Sequence, residues 1–403
     1  MREATCLANR SSKPYLRTRP TLSPTVLLGS SSDGALPPPL DAGRVTFHVR
    51  ARNGIWQLIQ ALGLQESDVV LVPSYNCGAE LDAVLRAPAT VRFYRVDGSA
   101  RIDVDDLRQA IEPRTRAVIL THYFGFPQPE LVAIGELCRD HGLVLIEDCA
   151  HALYSTHLGR SLGTFGDASV FSLWKTLPMP DGGALLANRP LPLPGGTSTP
   201  PLDASFTPLR VALGAHLEFR FGRAGEVVSK LAELLARLAA WTGSHLGRHT
   251  AEPIDLEPNL NPHVTFDRST ADWSMSSASH RIARRSPHVE IAGRRRRNYA
   301  FLAERLVGLS GARPLRPTLP NGTCPLAFPL VVDEPSSLVR HLASNGIGAE
   351  LFWSDFHPAF PAQEFPESTY LKTHVVTLPI HQDLDPGLLA RVADATRRWS
   401  RTQ

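Results

Sequence analysis

The chain has 403 residues, 43% of them apolar and 20% charged, with a formal net charge of +3. That balance is ordinary for a globular protein of more than one domain, and its mean charge makes no case for nucleic acid as a partner. Five scattered cysteines (Cys6, Cys77, Cys138, Cys149, Cys324) form no CxxC pair, which argues against a disulfide framework or a zinc site and suits a reducing cytoplasm. No run of about 18 apolar residues predicts a membrane span, and the N-terminus shows no apolar core of a signal peptide.

Residues 1–42 are rich in Ser, Pro and Thr and read as a loosely ordered extension. From about 45 to 190 the pattern alternates. VVLVPSY (69–75), VRFYRVD (91–97), AVILTHYF (117–124), LVLIEDCA (143–150), ASVFSL (168–173) and GALLA (183–187) predict buried strands. Helical stretches lie between several of them, at 54–64, 104–111 and 129–142. Near-continuous apolar strands alternating with helices predict an α/β domain with a largely parallel sheet covered on both faces. In such sheets ligands bind beyond the carboxyl ends of the strands.

Residues 188–207 are loop-like. Val227, Val228, Leu231, Leu234, Leu235, Leu238 and Trp241 then recur at helical spacing, so 208–246 reads as a helical insertion, packed on the protein or docked on a membrane surface or a partner. Residues 247–275 look irregular. A long helix is expected near 288–308, with the Arg294–Arg297 run solvated and holding one or two ion pairs. Residues 325–403 read as strand, helix, strand, strand, helix, a smaller α+β domain. The expected division is an extension (1–42), a large domain (43–270) and a linking helix with a small C-terminal domain (271–403).

The chemistry-bearing residues cluster at strand ends. The run 143–146 is apolar and ends in Glu147 and Asp148. A carboxylate there must be neutralised, paired or facing a cleft. Asp148 could bind a metal, act as a base, hold a cationic ring nitrogen, or simply cap the next turn. His151 follows three residues on. Lys175, one of only four lysines, lies just beyond the next strand. Partial desolvation can leave a lysine as a free amine able to form a Schiff base. The start of ARNGIWQL (51–58) offers free helix amides with Arg52 and Asn53, which could hold a phosphate or simply begin a helix. No GxGxxG follows a strand and no GxxxxGK[ST] occurs, so dinucleotide and P-loop sites have little support. A Schiff-base lysine, a carboxylate for a pyridinium nitrogen and a phosphate-binding helix start together describe a pyridoxal phosphate site.

On these residues the sequence resembles the DegT/DnrJ-type nucleotide-sugar aminotransferases of fold type I, from about residue 48 to the C-terminus and most weakly over 190–280. LVLIEDCAHALYSTHLGRSLGTFGDASVFSLWKTLPMPDGGALL is the most specific stretch. The pieces ARNGIWQLIQALGL, DVVLVPSYNCGAELDAV, IEPRTRAVILTHYFGFP, GIGAELFWSDFHPAF and VVTLPIHQDLDP match in order. The resemblance implies an aspartate-aminotransferase-like fold, pyridoxal 5'-phosphate as cofactor and no metal. It places Lys175 on the cofactor-binding lysine and Asp148 on the partner of the pyridine nitrogen. His151 falls beside the phenolic oxygen, Ser172 on the phosphate-contacting serine, and Arg52 and Asn53 on the phosphate-binding helix start. Cys77 stands where an aromatic ring usually stacks on the cofactor, with Tyr75 or Tyr123 as substitutes, and Ser172 lies closer to the lysine than in most members. The implied reaction moves an amino group from an amino acid, glutamate or glutamine, to a keto sugar, nucleotide-linked, within a cytoplasmic homodimer serving sugar or surface-polysaccharide synthesis. The alternatives are a pyridoxal phosphate enzyme with another keto substrate and a non-catalytic relative.

Overall fold

The six apolar runs all become strands of one seven-stranded sheet in the computed structural model, which describes residues 15–28, 34–41, 44–191, 193, 198–244 and 266–403. The strands are β1 (Arg44–His48), β2 (Val69–Pro73), β3 (Thr90–Tyr94), β4 (Thr115–Thr121) and β5 (Val144–Asp148). After a small hairpin of β6 (Thr156–His157) and β7 (Arg160–Ser161) come β8 (Ala168–Ser172) and β9 (Gly183–Ala187). Their order is β1-β9-β8-β5-β4-β2-β3. Strands β3, β2, β4, β5 and β8 run parallel, and β9 runs antiparallel to both of its neighbours. Strands β2, β5, β8 and β9 are buried at every position, which is why they read as continuous apolar runs rather than alternating ones. Each fully buried Val, Leu or Ile there contributes about 1.5–3 kcal/mol.

Before the sheet lies α1 (Pro24–Leu28). The crossovers within it include α2 (Ala51–Ala61), α3 (Ala79–Leu85), α4 (Val104–Ala110) and α5 (Leu131–Asp140). Asp103 caps α4 by accepting the amides of Asp105 and Asp106. A single turn, α6 (Leu173–Thr176), follows β8. Then come α7 (Leu202–Phe221) and α8 (Arg223–Ser244), so the helical insertion is two helices broken at Gly222. Helices α9 (Ser277–Arg285) and α10 (His288–Arg305) lead to the second sheet, β10 (Ala312–Pro314), β11 (Phe328–Val332), β12 (Glu350–Leu351) and β13 (Val375–Leu378), ordered β10-β11-β13-β12 and antiparallel throughout. Helices α11 (Pro335–Ser344), α12 (Pro366–His374) and α13 (Pro386–Ser400) complete this part.

Two expectations change, and several elements were not anticipated. Within the segment expected to be loose, the described parts are docked. Leu16, Leu22, Leu36 and Leu40 are buried, Leu16 bridges Ile347, and the Thr21 amide donates to Asp383 at 2.7 Å. Four well-spaced leucines supply the apolar anchors that composition alone hid. The arginine run is not merely solvated. Arg294 pairs with Glu290 at 2.8 Å as a surface residue should, but Arg295 is buried and donates to Gln382 Oε1, Leu326 O, Pro325 O and Thr176 O. Four carbonyl-type acceptors make that burial tolerable. Helix α12, strand β1, the short α3 and the β6–β7 hairpin lie in stretches to which the sequence reading assigned no element. Of the region expected to be irregular, 247–275, residues 247–265 lie outside the described residues, as do 245–246 of the helical insertion; 266–276 is loop-like around a short 3₁₀ turn.

Candidate active site

Three parallel strand ends set the site. Register pairs Thr121 with Asp148 and Asp148 with Val170, so the carboxyl ends of β4, β5 and β8 lie side by side. Strand alternation sends the adjacent carboxylates of β5 to opposite faces. Glu147 is fully buried and accepts the amides of Gly163, Phe165 and Gly166 at 2.7–2.9 Å, with His122 Nε2 at 3.0 Å. Burial alone would raise its carboxyl, but His122 and those amides hold it below the usual carboxylate range. Glu147 is a structural clasp for the loop that leads into β8. Cys149 lies with His122 and Glu147 in a buried cluster of metal-ligating types, but the hydrogen bonds of His122 and Glu147 already use their ring nitrogens and carboxylate oxygens.

Asp148 faces the other way. It is buried, and among the described residues only the Ala150 amide donates to it, at Oδ1 and 2.8 Å. Burial pushes it up to about 6, Glu80 adds to the rise, and Lys175 opposes it. A buried carboxylate with one oxygen free of protein donors among the described residues matches a ligand that brings a cationic N–H.

Lys175 rides on α6, a turn pinned by two fully buried leucines, Leu173 and Leu177, whose backbones bond at 2.8 Å. Arg295 and Gln382 both donate to the Thr176 carbonyl, at 3.3 and 3.1 Å, and hold that turn from the second domain. Lys175 Nζ lies 3.1 Å from His151 Nε2. His151 is buried, and burial followed by the Lys175 charge drives its ring well below the ordinary histidine range, so it is neutral. Its Nδ1 accepts the Phe124 amide at 3.3 Å. With Nδ1 accepting that amide, the proton of the neutral ring sits on Nε2, the nitrogen that faces Nζ. The Phe124 amide is aimed by the YFG turn, where Phe124 has φ 56° and Gly125 φ 91°; a Cβ on Gly125 would collide with the Cys324 carbonyl.

The start of α2 lies against the start of β9. A Cβ on Gly183 would collide with the backbone of Arg50 and Ala51, so only glycine lets β9 approach this helix start so closely. The first-turn amides have no intrahelical acceptor. Arg52 is half-buried without a hydrogen bond to another described residue, and the Ser172 hydroxyl, also unbonded among them, ends β8 nearby in the sheet. Asn53 is different: its side chain donates to the Thr270 carbonyl at 2.7 Å, and Arg50 rather than Asn53 occupies the cap position.

Cys77 is placed on the loop after β2, where its thiol donates to Glu80 Oε2 at 2.6 Å while its amide meets Oε1 at 3.1 Å. Burial and then Glu80 push the thiol up to about 12, so it is a neutral thiol and no nucleophile. Tyr75 and Tyr123 pack on each other at 5.1 Å and both meet Trp353 from the second domain. Trp353 and Phe352 also pack on His151, at 5.1 and 5.4 Å.

Sequence reading missed these second-domain contributions. Lys372 is the clearest: fully buried, it donates to the carbonyls of Asn76, Trp353 and Asp355 at 2.6–3.1 Å and ties the Cys77 loop to the Trp353 loop. Burial lowers it to about 8. Its rarity as a lysine was the only available signal.

This architecture is that of the fold type I aminotransferases. The aminotransferase TlmJ from Streptoalloteichus hindustanus superposes with a TM-score of 0.65 over 96% of this chain and 99% of its own, at 22% identity. PseC of Helicobacter pylori, an aminotransferase involved in the biosynthesis of pseudoaminic acid, gives 0.66 over 97% and 100%, at 15% identity.

Residues 51–191, which hold every strand end described above, match the DegT/DnrJ/EryC1/StrS aminotransferase family. The chain is 35% identical over 133 residues to GDP-perosamine synthase of Vibrio cholerae, covering 32% of this chain and 36% of that protein. It is 37% identical over 154 residues to the dTDP-4-dehydro-2,3,6-trideoxy-D-glucose 4-aminotransferase of Saccharopolyspora spinosa, covering 38% and 40%. The chain thus spans about two fifths of the length of these curated relatives.

Proposed function

We propose that the protein is a pyridoxal phosphate-dependent aminotransferase that moves an amino group from an amino acid, glutamate or glutamine, to the keto group of a nucleotide-linked sugar. The observation that carries this reading is the Asp148, His151 and Lys175 constellation, assembled from two parallel strand ends within the segment that matches the family. The residues present fit the cofactor. Asp148 offers a free buried oxygen to a ring N–H, and the α2 amides with Arg52 and Ser172 offer donors to a phosphate. The second relative above is named for a keto-sugar substrate, which supports the substrate class.

Bound there, pyridoxal phosphate supplies an electron sink for the carbanion that an amino acid leaves on losing its α-proton. The chain supplies the rest. Asp148 keeps the ring nitrogen protonated. His151 Nε2, 3.1 Å from Lys175 Nζ, positions the amine that would act as nucleophile and then as general base. Arg295 and Gln382 hold the turn that carries Lys175. Residues 43–270 form the cofactor-binding domain in this reading and 271–403 the small domain, working as a cytoplasmic homodimer; Cys77 and Asn53 shape the wall beside the cofactor.

The test is borohydride reduction of the cofactor-loaded protein followed by peptide mapping, with a product assay on keto-sugar nucleotides. A label on Lys175, and turnover reduced at least about 10³-fold in Lys175→Ala, are expected. A label elsewhere overturns the assignment. A label on Lys175 without turnover of any amino donor favours a non-catalytic relative, a reading that the Cys77–Glu80 pair in the ring-stacking position also supports.

A further inference from the structure

Helices α7 and α8 form an antiparallel hairpin joined through the single residue Gly222. Helix α7 is anchored to the protein body. His216 bonds Thr21, Glu218 pairs with Arg17, and Leu209 and Leu213 pack on the main core. Helix α8 rests on α7, and the packing between them is unusual. Small residues meet: a Cβ on Gly214 would strike the Ser229 hydroxyl, and one on Gly225 would overlap the Leu217 carbonyl. Such contacts let helix backbones approach closely without large side chains between them.

The large apolar side chains of α8 consequently point away. Val227, Val228, Leu231, Leu234 and Leu235 are 52–64% exposed. At 100° per residue they cover an arc of about 120°. Phe206 at one end of α7 and Phe221 at the hairpin tip are 63% and 60% exposed. Soluble monomers seldom expose a contiguous apolar patch beyond a few hundred Å². Seven such side chains, at about 150–200 Å² each when fully exposed, leave roughly 700 Å² uncovered.

Charge indicates what covers this face. The described acids are engaged: Glu218 with Arg17, Glu226 with Lys230 at 2.6 Å, and Glu233 with a further partner. Arg210, Arg220 and Arg223 have no acidic partner among the described residues. Arg210 lines the groove beside Phe206, Leu213 and Leu217, while Arg220 and Arg223 flank Phe221 at the tip. Two copies meeting symmetrically across this face would bring arginines together with no acid among the described residues of the hairpin left to answer them. An anionic lipid surface answers both the apolar arc and the free arginines. We propose that the outward face of the hairpin docks the protein on an anionic membrane surface, with α8 lying in the headgroup region and Phe221 at the leading tip. No helix among the described residues is long and apolar enough to cross a membrane, so the attachment is peripheral.

The test is co-sedimentation of the full chain with two kinds of vesicle, pure phosphatidylcholine and an equal mixture with phosphatidylglycerol. Binding to the anionic vesicles is expected, at least tenfold weaker to the neutral ones and weakening with salt. Leu231→Glu with Leu235→Glu, and separately Arg220→Glu with Arg223→Glu, should each reduce binding tenfold or more. Circular dichroism and the cofactor absorption spectrum should stay unchanged, since all four side chains lie on the surface. A chain that stays in the supernatant with both vesicles overturns the proposal, as does binding that neither variant alters. If the leucine variant instead splits a dimer in sedimentation equilibrium while vesicles are ignored, the face belongs to a second copy.

Discussion

The strand-end site and the helical hairpin depart from ordinary burial in opposite directions. The site buries Asp148 with a single donor among the described residues, fewer than buried polar groups usually keep, and the hairpin displays leucine, valine and phenylalanine that a core usually takes. Glu147 and Arg295 show how this fold treats buried charge when only structure is at stake, since each is surrounded by hydrogen-bond partners. Leu173 and Leu177, fully buried beneath Lys175, show the same for apolar side chains. Residues that break the local rule mark surfaces shaped for something else.

Substitution of Asp148 tests this contrast most strongly. Asp148→Asn should lower turnover by about 10²–10³-fold, because the ring nitrogen loses its anionic partner. The same change should stabilise the cofactor-free protein. Burial raises Asp148 to about 6, above its unfolded value, so ionising it in the fold is unfavourable. Its stabilising effect is present below the unfolded pKa and is lost as pH rises through about 6; near pH 8 the asparagine should therefore add about 1–3 kcal/mol in urea unfolding. Cofactor affinity, followed by visible absorbance, should fall about tenfold per pH unit below 6 in the parent and less steeply in the variant. A variant that loses stability at pH 8 would place Asp148 with Glu147 as a structural clasp.

A smaller effect is expected at the partnered charge. Arg295→Met removes donors from Gln382 and from the Thr176 and Leu326 carbonyls, and should cost about 2–4 kcal/mol in urea unfolding. Because Thr176 adjoins Lys175, its kcat should fall more than its KM rises. The smallest effect belongs to the hairpin. Leu234→Ser should change stability by no more than about 0.5 kcal/mol, since that side chain is already 54% in solvent. A loss of several kcal/mol would mean that the apolar face is covered within the fold.

Much of the site could be read from the chain because its residues sit at the ends of long apolar runs. Asp148 and Lys175 follow the runs 144–146 and 168–171, and period and length locate such strands without tertiary information. Ser172 ends β8 and Arg52 lies in the first turn of α2, so both could be placed on their elements from local pattern. The partners of Asn53 and Cys77, the Thr270 carbonyl and Glu80, could not be inferred from spacing. Arg295 resembled its three neighbours in sequence; one helical face selects it for burial, and only the packing of α10 on the 381–384 segment identifies that face. Trp353, Gln382 and Lys372 reach the site from more than 170 residues away, and no local pattern encodes that approach.

The sequence by itself determined the alternation of strands and helices, the parallel core and the position of carboxylate and lysine beyond strand ends, because apolar periodicity and strand length are local properties. The tertiary structure decided which charges are compensated. Glu147 and Asp148 are neighbours in the chain, yet one meets three amides and a histidine while the other meets a single amide. The pleat sends them to opposite faces, and what waits on each face depends on loops and helices brought from elsewhere in the chain.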